Sequence, residues 1–546
     1  MSRNQTGFQW RNAVVPLVTS GALRPVGITT AVRITDAVRR FGPSIATVMA
    51  ISAARYGDRP AVVDDRGVIT YRQLQRRTEA IAAALHARHP GAGTMAILCR
   101  NHRGFIEASV VGAQLGCELV FLNTDLPRAQ LAQILERHRP AILVHDQEYD
   151  EAIDAAEFPG TRVRAWQDTE APLSLDTLAR QSHPAPPPVR HPVRITLLTS
   201  GTTGLAKGVS RPLRQRTVLE MVATAMAATR LESRDVIVMA PPFFHGFGLA
   251  IMFGALALGT TVITRRRFDP EQALADVQRH RATVFVGVPV MVQRLVAIPE
   301  QRRREFHTGS LRLAVTGAAP IAPATIGRFI DAFGPILVNG YGSTEAGVVS
   351  IATTEDLADA PKTAGRPAIG VSVRILRADR TPAAVGESGS IFVRGGLGYH
   401  GYVSDGKSTT PTKEVIDGHV NTGDMGHLDT HGRIYIDGRD DDMIVSGGEN
   451  IYPKEVEDVI AEHPAVGDVV VIGIPHAEFG HVLCAYFVTA AGRTAPTADE
   501  LRTHIRERLE RYKVPKEFIA LEKIPRNPSG KILRRELESH KRTIAG

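Results

Sequence analysis

Ten residues, Thr199-Ser-Gly-Thr-Thr-Gly-Leu-Ala-Lys207-Gly208, carry the clearest chemistry in this 546-residue chain. Thr199, Ser200, Thr202 and Thr203 offer hydroxyls, Gly201, Gly204 and Gly208 let backbone come close, and Lys207 adds a cation. Following an apolar strand pattern at Val193 to Leu198, this is the composition of a phosphate cradle. It is not a Walker loop, because Ala206 precedes Lys207 and Gly208 follows it. A second cluster, Asn339-Gly-Tyr341-Gly342-Ser343-Thr344-Glu345, sets a flat ring suited to a flat base near a carboxylate suited to a hard cation. Further on stand Thr422-Gly423-Asp424, the run Gly438-Arg439-Asp440-Asp441-Asp442, and Pro525-Arg-Asn-Pro-Ser-Gly-Lys531. Alone, each of these three would read as a turn, a solvated acidic loop and an exposed lysine.

The elements that must position these residues alternate. Residues 72 to 88 and 104 to 116 have helical patterns, and Met95 to Leu98, Leu119 to Leu122 and Ile142 to Val144 are short buried strands. Such alternation predicts parallel sheet with crossover helices. His183 to Pro192 is a proline-rich connector that cannot be interior strand or helix. From about 365 to 437, short strands broken by glycine predict a β-barrel-like subdomain. A further α/β pattern fills 450 to 546, with a helix near Pro453, strands at 468 to 474 and 482 to 489, and a helix from 498 to 510. The uncharged stretch Phe247 to Ile263 is about 17 residues long, at the lower limit for a membrane span, and Gly248, Gly254 and Gly259 dilute it. It reads better as a buried helix and strand.

With the loop at Thr199 to Gly208 in place, the sequence resembles the adenylate-forming superfamily: acyl- and aryl-CoA ligases, luciferase and peptide-synthetase adenylation domains. The resemblance covers residues 50 to 535, and its motifs fall in the family's order. It implies an α/β fold: a large N-terminal domain of stacked mixed α/β subdomains plus a β-barrel-like subdomain, and a small mobile C-terminal α/β domain. The boundaries are then a basic leader at 1–45, the large domain at 46–438 and the small one at 439–546. By the same resemblance, Tyr341 stacks on adenine, Thr344 contacts the α-phosphate and Glu345 holds Mg²⁺. Gly342 and Ser343 belong to that nucleotide motif, and Gly317, Ala318 and Ala319 line the adenine pocket with backbone. Asp424 accepts from the ribose hydroxyls, Arg439 contacts the nucleotide, Asp441 is the pivot between domains, and Lys531 reaches into the site during adenylation.

The implied cofactors are ATP, Mg²⁺ and coenzyme A, and the remaining partner is a small-molecule carboxylic acid. Ser446-Gly447-Gly448-Glu449-Asn450-Ile451-Tyr452-Pro453 resembles the CoA-ligase form, in which Gly447 and Gly448 lie along the pantetheine tunnel. Pro241-Pro-Phe-Phe-His245-Gly-Phe-Gly248 resembles the border of the carboxylate pocket, with His245 a movable gate. No acid falls between Asp235 and Asp269, which disfavours an amino-acid substrate. Val286, Val288, Pro289, Val290 and Met291 suggest an apolar wall and a medium- or long-chain fatty acid, although core packing would supply the same residues. Two departures stand out: Ala206 replaces the usual proline, and Ser210-Arg-Pro-Leu-Arg214 replaces the Thr-His-x-Asn of many relatives. An acyl-AMP ligase loading a carrier protein and a non-catalytic nucleotide-binding relative are the alternatives. The presence of Glu345, Asp424 and Lys531 speaks against the second.

Bulk composition fits such an enzyme. Hydrophobic residues make up 43% and charged residues 22%, enough for a large core in a chain too long for one domain. The formal charge of +8 comes from basic residues spread along the chain, which argues for a solvated basic surface and against nucleic-acid binding. Cys99, Cys117 and Cys484 are isolated and fit a reducing cytoplasm. The leader holds six arginines against Asp36 in its first forty residues. Ile28, Ala31, Val32, Thr35 and Val38 recur in it at helical spacing. This stripe either docks on the enzyme body or lies on an acidic membrane surface, and docking is preferred because amphipathic helices usually bury their stripe.

Overall fold

The computed structural model describes residues 9–537 apart from 22–23, 92, 170, 172, 190, 192, 200–206, 211–214, 344–346, 396–412, 447–448, 477–478, 528–529 and 534–535. Three sheets organise the chain. In the first, Thr161–Trp166, Ile142–Asp146, Thr94–Leu98, Glu118–Phe121 and Ile195–Thr199 lie side by side, all parallel, and Lys207–Ser210 closes the edge antiparallel. The second runs parallel through Pro60–Asp64, Thr261–Ile263, Val236–Met239, Val284–Val286, Leu313–Gly317 and Leu337–Ser343. These strands are almost continuously apolar, as parallel strands covered on both faces must be.

The second sheet then turns antiparallel through Gly347–Ala352 and Thr363–Pro367. Thr363–Pro367 pairs with Ile434–Arg439, and pairing continues to His419–Leu428, Gly389–Arg394 and Ser372–Leu376. The strand-rich segment predicted from 365 to 437 is therefore hydrogen-bonded into the larger sheet, which holds fourteen strands among the described residues.

The helix Arg103–Gln114 lies in the main core and is buried from Gly104 through Gln114. His102 starts it: Nδ1 accepts from the Gly104 N–H at 3.0 Å, and Nε2 pairs with Asp146 Oδ1 at 2.8 Å. Cys99 completes a buried grouping with these two, but both His102 nitrogens are already engaged, so the cluster reads as a satisfied polar core. All three cysteines are buried. The stretch Phe247 to Ile263 folds as a helix, Gly246–Leu258, and a strand, Thr261–Ile263, joined by Gly259 at φ 80°. Among the described residues no helix is long and apolar enough to cross a membrane.

The small domain is built on the third sheet, with Gly480–Thr489 between Val466–His476 and Glu517–Ala520 and the short strands Ile444–Ser446 and Glu449–Ile451 at its side. Helices Pro453–Ala461 and Ala498–Arg506 cover one face through Val456, Ile460, Leu501 and Ile505. The last helix was expected to reach 510. It stops at Arg506, and the chain passes through a short turn at Arg511–Lys513.

The leader is helical over Trp10–Thr19 and Ile28–Phe41, but the expected docking face is reversed. Ile28 is 85% and Val32 63% exposed, whereas Ala37 and Phe41 are buried. Phe41 is set in the main core, with Ala37 one turn earlier against the body. That pair fixes the helix rotation, and the apolar stripe faces out.

Candidate active site

Four adjacent parallel strands of the second sheet, Val236–Met239, Val284–Val286, Leu313–Gly317 and Leu337–Ser343, end on the same side. Pro241 to His245, Val288 to Val290, Gly317 to Ala319 and Tyr341 follow or lie at those carboxyl ends. A crevice outside such ends is where open α/β sheets bind ligands. Gly317 and Gly340 are register partners, and a Cβ on Gly317 would stand 2.8 Å from the Gly340 carbonyl oxygen. Only glycine allows the strands this approach. Ala318 then takes φ 68°, the left-handed region that an L side chain seldom adopts. Strain of this kind collects at ligand sites, and nothing in the sequence announced it.

Tyr341 and Asp424, 83 residues apart, meet at the seam between the parallel strands and the antiparallel extension. The Tyr341 hydroxyl donates to Asp424 Oδ2 at 2.5 Å, and Arg439 Nη1 lies 3.6 Å from Oδ1. Asp424 and Arg439 are direct cross-strand partners, so the sheet itself sets that ion pair. The turn before Asp424 is fixed by local bonds. The Asp424 N–H donates to Thr422 Oγ1 at 3.1 Å, and the Thr422 hydroxyl donates to the Ile391 carbonyl at 3.0 Å. Burial pushes the Asp424 carboxyl above its ordinary range, while the Tyr341 hydroxyl and the nearby Arg439 and Lys413 charges work against that rise. Burial and the Asp424 charge together hold the Tyr341 phenol up. The cluster can present a flat ring, a carboxylate with spare lone pairs and a guanidinium to one ligand.

His245 stands at the N-cap, directly before the helix Gly246–Leu258, and burial lowers its imidazole pKa, which favours the neutral ring. The loop before it is held by a residue the sequence reading missed. Asn101 Nδ2 donates to the Pro241 carbonyl at 2.8 Å, and Asn101 Oδ1 accepts from the Phe243 N–H at 2.9 Å. No short-range pattern could link positions 142 residues apart. Val286, Val288 and Met291, expected as an acyl-pocket wall, are buried among core side chains, while Val290 is half-buried.

Lys531 sits in a tightly braced turn of the small domain. Its N–H donates to Asn527 Oδ1 at 2.8 Å, and the Asn527 N–H returns to the Lys531 carbonyl at 2.8 Å. Arg526 holds both Asp468 oxygens, at 2.9 and 3.1 Å, and donates to the Gly530 carbonyl at 3.0 Å. Gly530, at φ 82°, faces the large domain: a Cβ there would lie 3.2 Å from Val290 Cγ1 and 3.6 Å from Val288 Cγ2. Gln293 Nε2 also donates to the Gly467 carbonyl at 2.5 Å. The Lys531 turn is thus docked at the carboxyl end of Val284–Val286. The bend at Asp440–Asp442 between the domains is a single turn of 3₁₀ helix containing Asp441.

Thr199, Lys207 and Ser343 are described as strand backbone, with Thr199 and Lys207 in register and Ser343 opposite Gly347. Gly342 follows Tyr341 on the same strand. Ser200, Gly201, Thr202, Thr203, Gly204, Thr344, Glu345, Gly447 and Gly448 lie outside the described residues.

A two-domain α/β protein with a crevice at its strand ends and a lysine turn docked there from the smaller domain is the class this arrangement defines. The chain belongs to the AMP-binding enzyme family, whose model matches residues 49–403, with the AMP-binding enzyme C-terminal domain at 455–531. It is 33% identical over 520 residues to 3-[(3aS,4S,7aS)-7a-methyl-1,5-dioxo-octahydro-1H-inden-4-yl]propanoyl:CoA ligase of Rhodococcus jostii (strain RHA1), covering 90% of this chain and 97% of that protein. It is also 33% identical to feruloyl-CoA synthase of an Amycolatopsis species, over 86% and 93% of the two chains. Among solved structures, o-succinylbenzoate CoA synthetase (MenE) of Bacillus subtilis in complex with the acyl-adenylate intermediate OSB-AMP matches with TM-score 0.76 at 28% identity, over 90% and 97% of the chains.

Proposed function

We propose that this protein is an AMP-forming acid–CoA ligase acting on a carboxylic acid with a bulky apolar body. A carboxylate oxygen attacks the α-phosphorus of ATP and pyrophosphate leaves. The thiol of coenzyme A then attacks the acyl carbon, and AMP leaves with the electrons of the broken acyl–phosphate bond. The observation that carries this reading is the Tyr341–Asp424–Arg439 cluster beside strand ends onto which the Lys531 turn is docked.

In the first step two anions must meet, so the barrier is chiefly electrostatic and positional. Tyr341 stacks on adenine, Asp424 accepts from the ribose hydroxyls, and Arg439 and Lys531 offset phosphate charge. Glu345 is the proposed magnesium ligand, and Thr199 to Lys207 the proposed phosphate cradle. For the second step the small domain turns about Asp441, withdrawing Lys531 and bringing Gly447 and Gly448 to the thiol path. A neutral His245 at the border can move aside without leaving a buried charge unpaired.

The acids named for the two relatives given above are bicyclic and aryl, although other relatives are named for fatty acids, and the apolar run at Val286 to Met291 is largely taken up in the core. Both favour a ring-bearing acid, with the medium- or long-chain fatty acid expected from sequence as the competing substrate. The test is ATP consumption by the purified protein with acetate, fatty acids of increasing length, and aryl and bicyclic acids, each with and without coenzyme A. An acyl-CoA product from one class of acid establishes the reading and names the class. Acyl-adenylate that accumulates with coenzyme A present transfers the assignment to a carrier-protein acceptor, and no ATP use with any acid refutes it.

A further inference from the structure

The leader helices lie outside both matched family regions, the first of which begins at residue 49, so the adenylating site does not explain them. Their packing is peculiar. Trp10–Thr19 touches the body along one narrow line, with Ala13 buried against Ala223 and Ile369 and Leu17 half-buried beside them. Ile28–Phe41 does so through Ala37 and Phe41. Both are tied at their ends. The Ser233 N–H donates to the Ser20 carbonyl at 2.8 Å, Arg55 donates to the Arg24 carbonyl at 3.2 Å, and the Val189 N–H donates to the Arg40 carbonyl at 2.7 Å. Rotation about the helix axes to hide the outer faces would break these anchors.

The outer faces are apolar. Trp10, Val14 and Val18, spaced by four, are all exposed on the first helix, and Ile28, Val32 and Val38 on the second. Eight of the fifteen exposed large apolar side chains among the described residues lie between Trp10 and Val38, which makes the leader unlike the rest of the surface. Leu219 and Val222, on the helix Gln215–Thr229 that receives Trp10–Thr19, are exposed as well.

Charge decides what covers these faces. Residues 9–41 hold Arg11, Arg24, Arg33, Arg39 and Arg40 against the single acid Asp36. Arg39 lies within the outer stripe, following Ile28, Val32 and Thr35 at spacings of four, three and four, and Arg11 follows Trp10 along the first helix. Arginines set in an apolar stripe can lower their stems into a nonpolar layer and keep their guanidiniums at its polar boundary. A second copy of the chain would oppose the same arginines across a two-fold axis, like charge on like. A sheet of anionic headgroups over hydrocarbon meets both requirements, and neither helix is long enough to cross it.

We infer that Trp10–Thr19 and Ile28–Phe41 form a docking surface for an anionic phospholipid bilayer, with the enzyme body held outside the membrane. The apolar stripes enter the headgroup boundary, and the arginines pair with lipid phosphates. An apolar acid dissolved in the bilayer would then be presented near an enzyme that uses water-soluble ATP.

The test is co-sedimentation of the full-length protein with phosphatidylcholine–phosphatidylglycerol vesicles and with vesicles of phosphatidylcholine alone. Binding to the anionic vesicles that weakens as salt rises is expected. So is quenching of Trp10 by brominated lipid, since the only other tryptophan, Trp166, stands between Arg66 and Arg266 in the first sheet. The triple variant Val14→Asp, Ile28→Asp, Val32→Asp should lower the partition coefficient by about tenfold or more with an unchanged thermal midpoint, because these side chains already face solvent. No binding to anionic vesicles, or equal binding by the triple variant, overturns the inference. A dimer in sedimentation that the same variant converts to monomer overturns it in favour of a second copy.

Discussion

Replacing Tyr341 by phenylalanine removes one oxygen from the site and leaves the ring proposed to stack on adenine. The lost hydroxyl donates to Asp424 Oδ2 at 2.5 Å, a bond to a carboxyl only 13% exposed. A hydrogen bond to a charged group contributes about 1.5–3 kcal/mol, so kcat/KM for ATP should fall by about tenfold to a hundredfold. A second effect has a definite sign. The hydroxyl is among the groups holding the Asp424 pKa down against its burial, so its loss raises that pKa further. In its proposed role Asp424 accepts from ribose hydroxyls best when ionised, so activity should be lost as pH falls through its pKa. The acidic limb of the kcat/KM profile for ATP should therefore move to higher pH in Tyr341→Phe, while the profile for the acid at saturating ATP moves less. Pyrophosphate exchange measured across pH reads both effects. An unchanged kcat/KM for ATP, or an acidic limb that stays put or moves down, would refute the coupling of Tyr341 to a nucleotide-binding Asp424.

Lys531→Ala should cut acyl-adenylate formation by about 10²–10³, yet spare thioester formation from preformed acyl-adenylate. Equal loss in the two half-reactions contradicts the assigned role. Asn101→Ala leaves the Phe243 N–H and the Pro241 carbonyl without their partner, at a cost of about 1–3 kcal/mol, and chemical denaturation should show the loss. The same variant should raise KM for the acid, because the His245 loop loosens, while KM for ATP holds. Burial lowers the His245 pKa in the folded chain, so the unfolded chain binds more protons below about pH 6.5 and this residue's contribution to stability is lost as pH falls. His245→Phe should flatten the stability profile on the acid side of about pH 6.5, and an identical slope would exclude His245 as its source.

Much of the fold was legible because its signals are local. Strands buried on both faces are short apolar runs whatever their partners, so Thr94–Leu98, Ile142–Asp146 and Val466–His476 fell within a few residues of expectation. Ordered motifs marked the proposed cradle and the candidate residues Tyr341, Asp424 and Lys531, since close backbone approach and phosphate charge demand particular residue types at fixed spacing. What the strand-rich segment joins was not legible, because hydrogen bonding between Thr363–Pro367 and Ile434–Arg439 spans some seventy residues.

The sequence by itself determined the alternating elements, the residues proposed for the site and their order along the chain. Only the tertiary structure decided which groups meet: the Tyr341 hydroxyl on Asp424, Asn101 beneath the His245 loop, the Lys531 turn against Val290. It also decided that the leader docks by Ala37 and Phe41 and turns its apolar stripe outward. Periodicity reveals that a helix has two faces. Which face is inside depends on what the body offers it, and here a core socket for Phe41 outweighed the stripe.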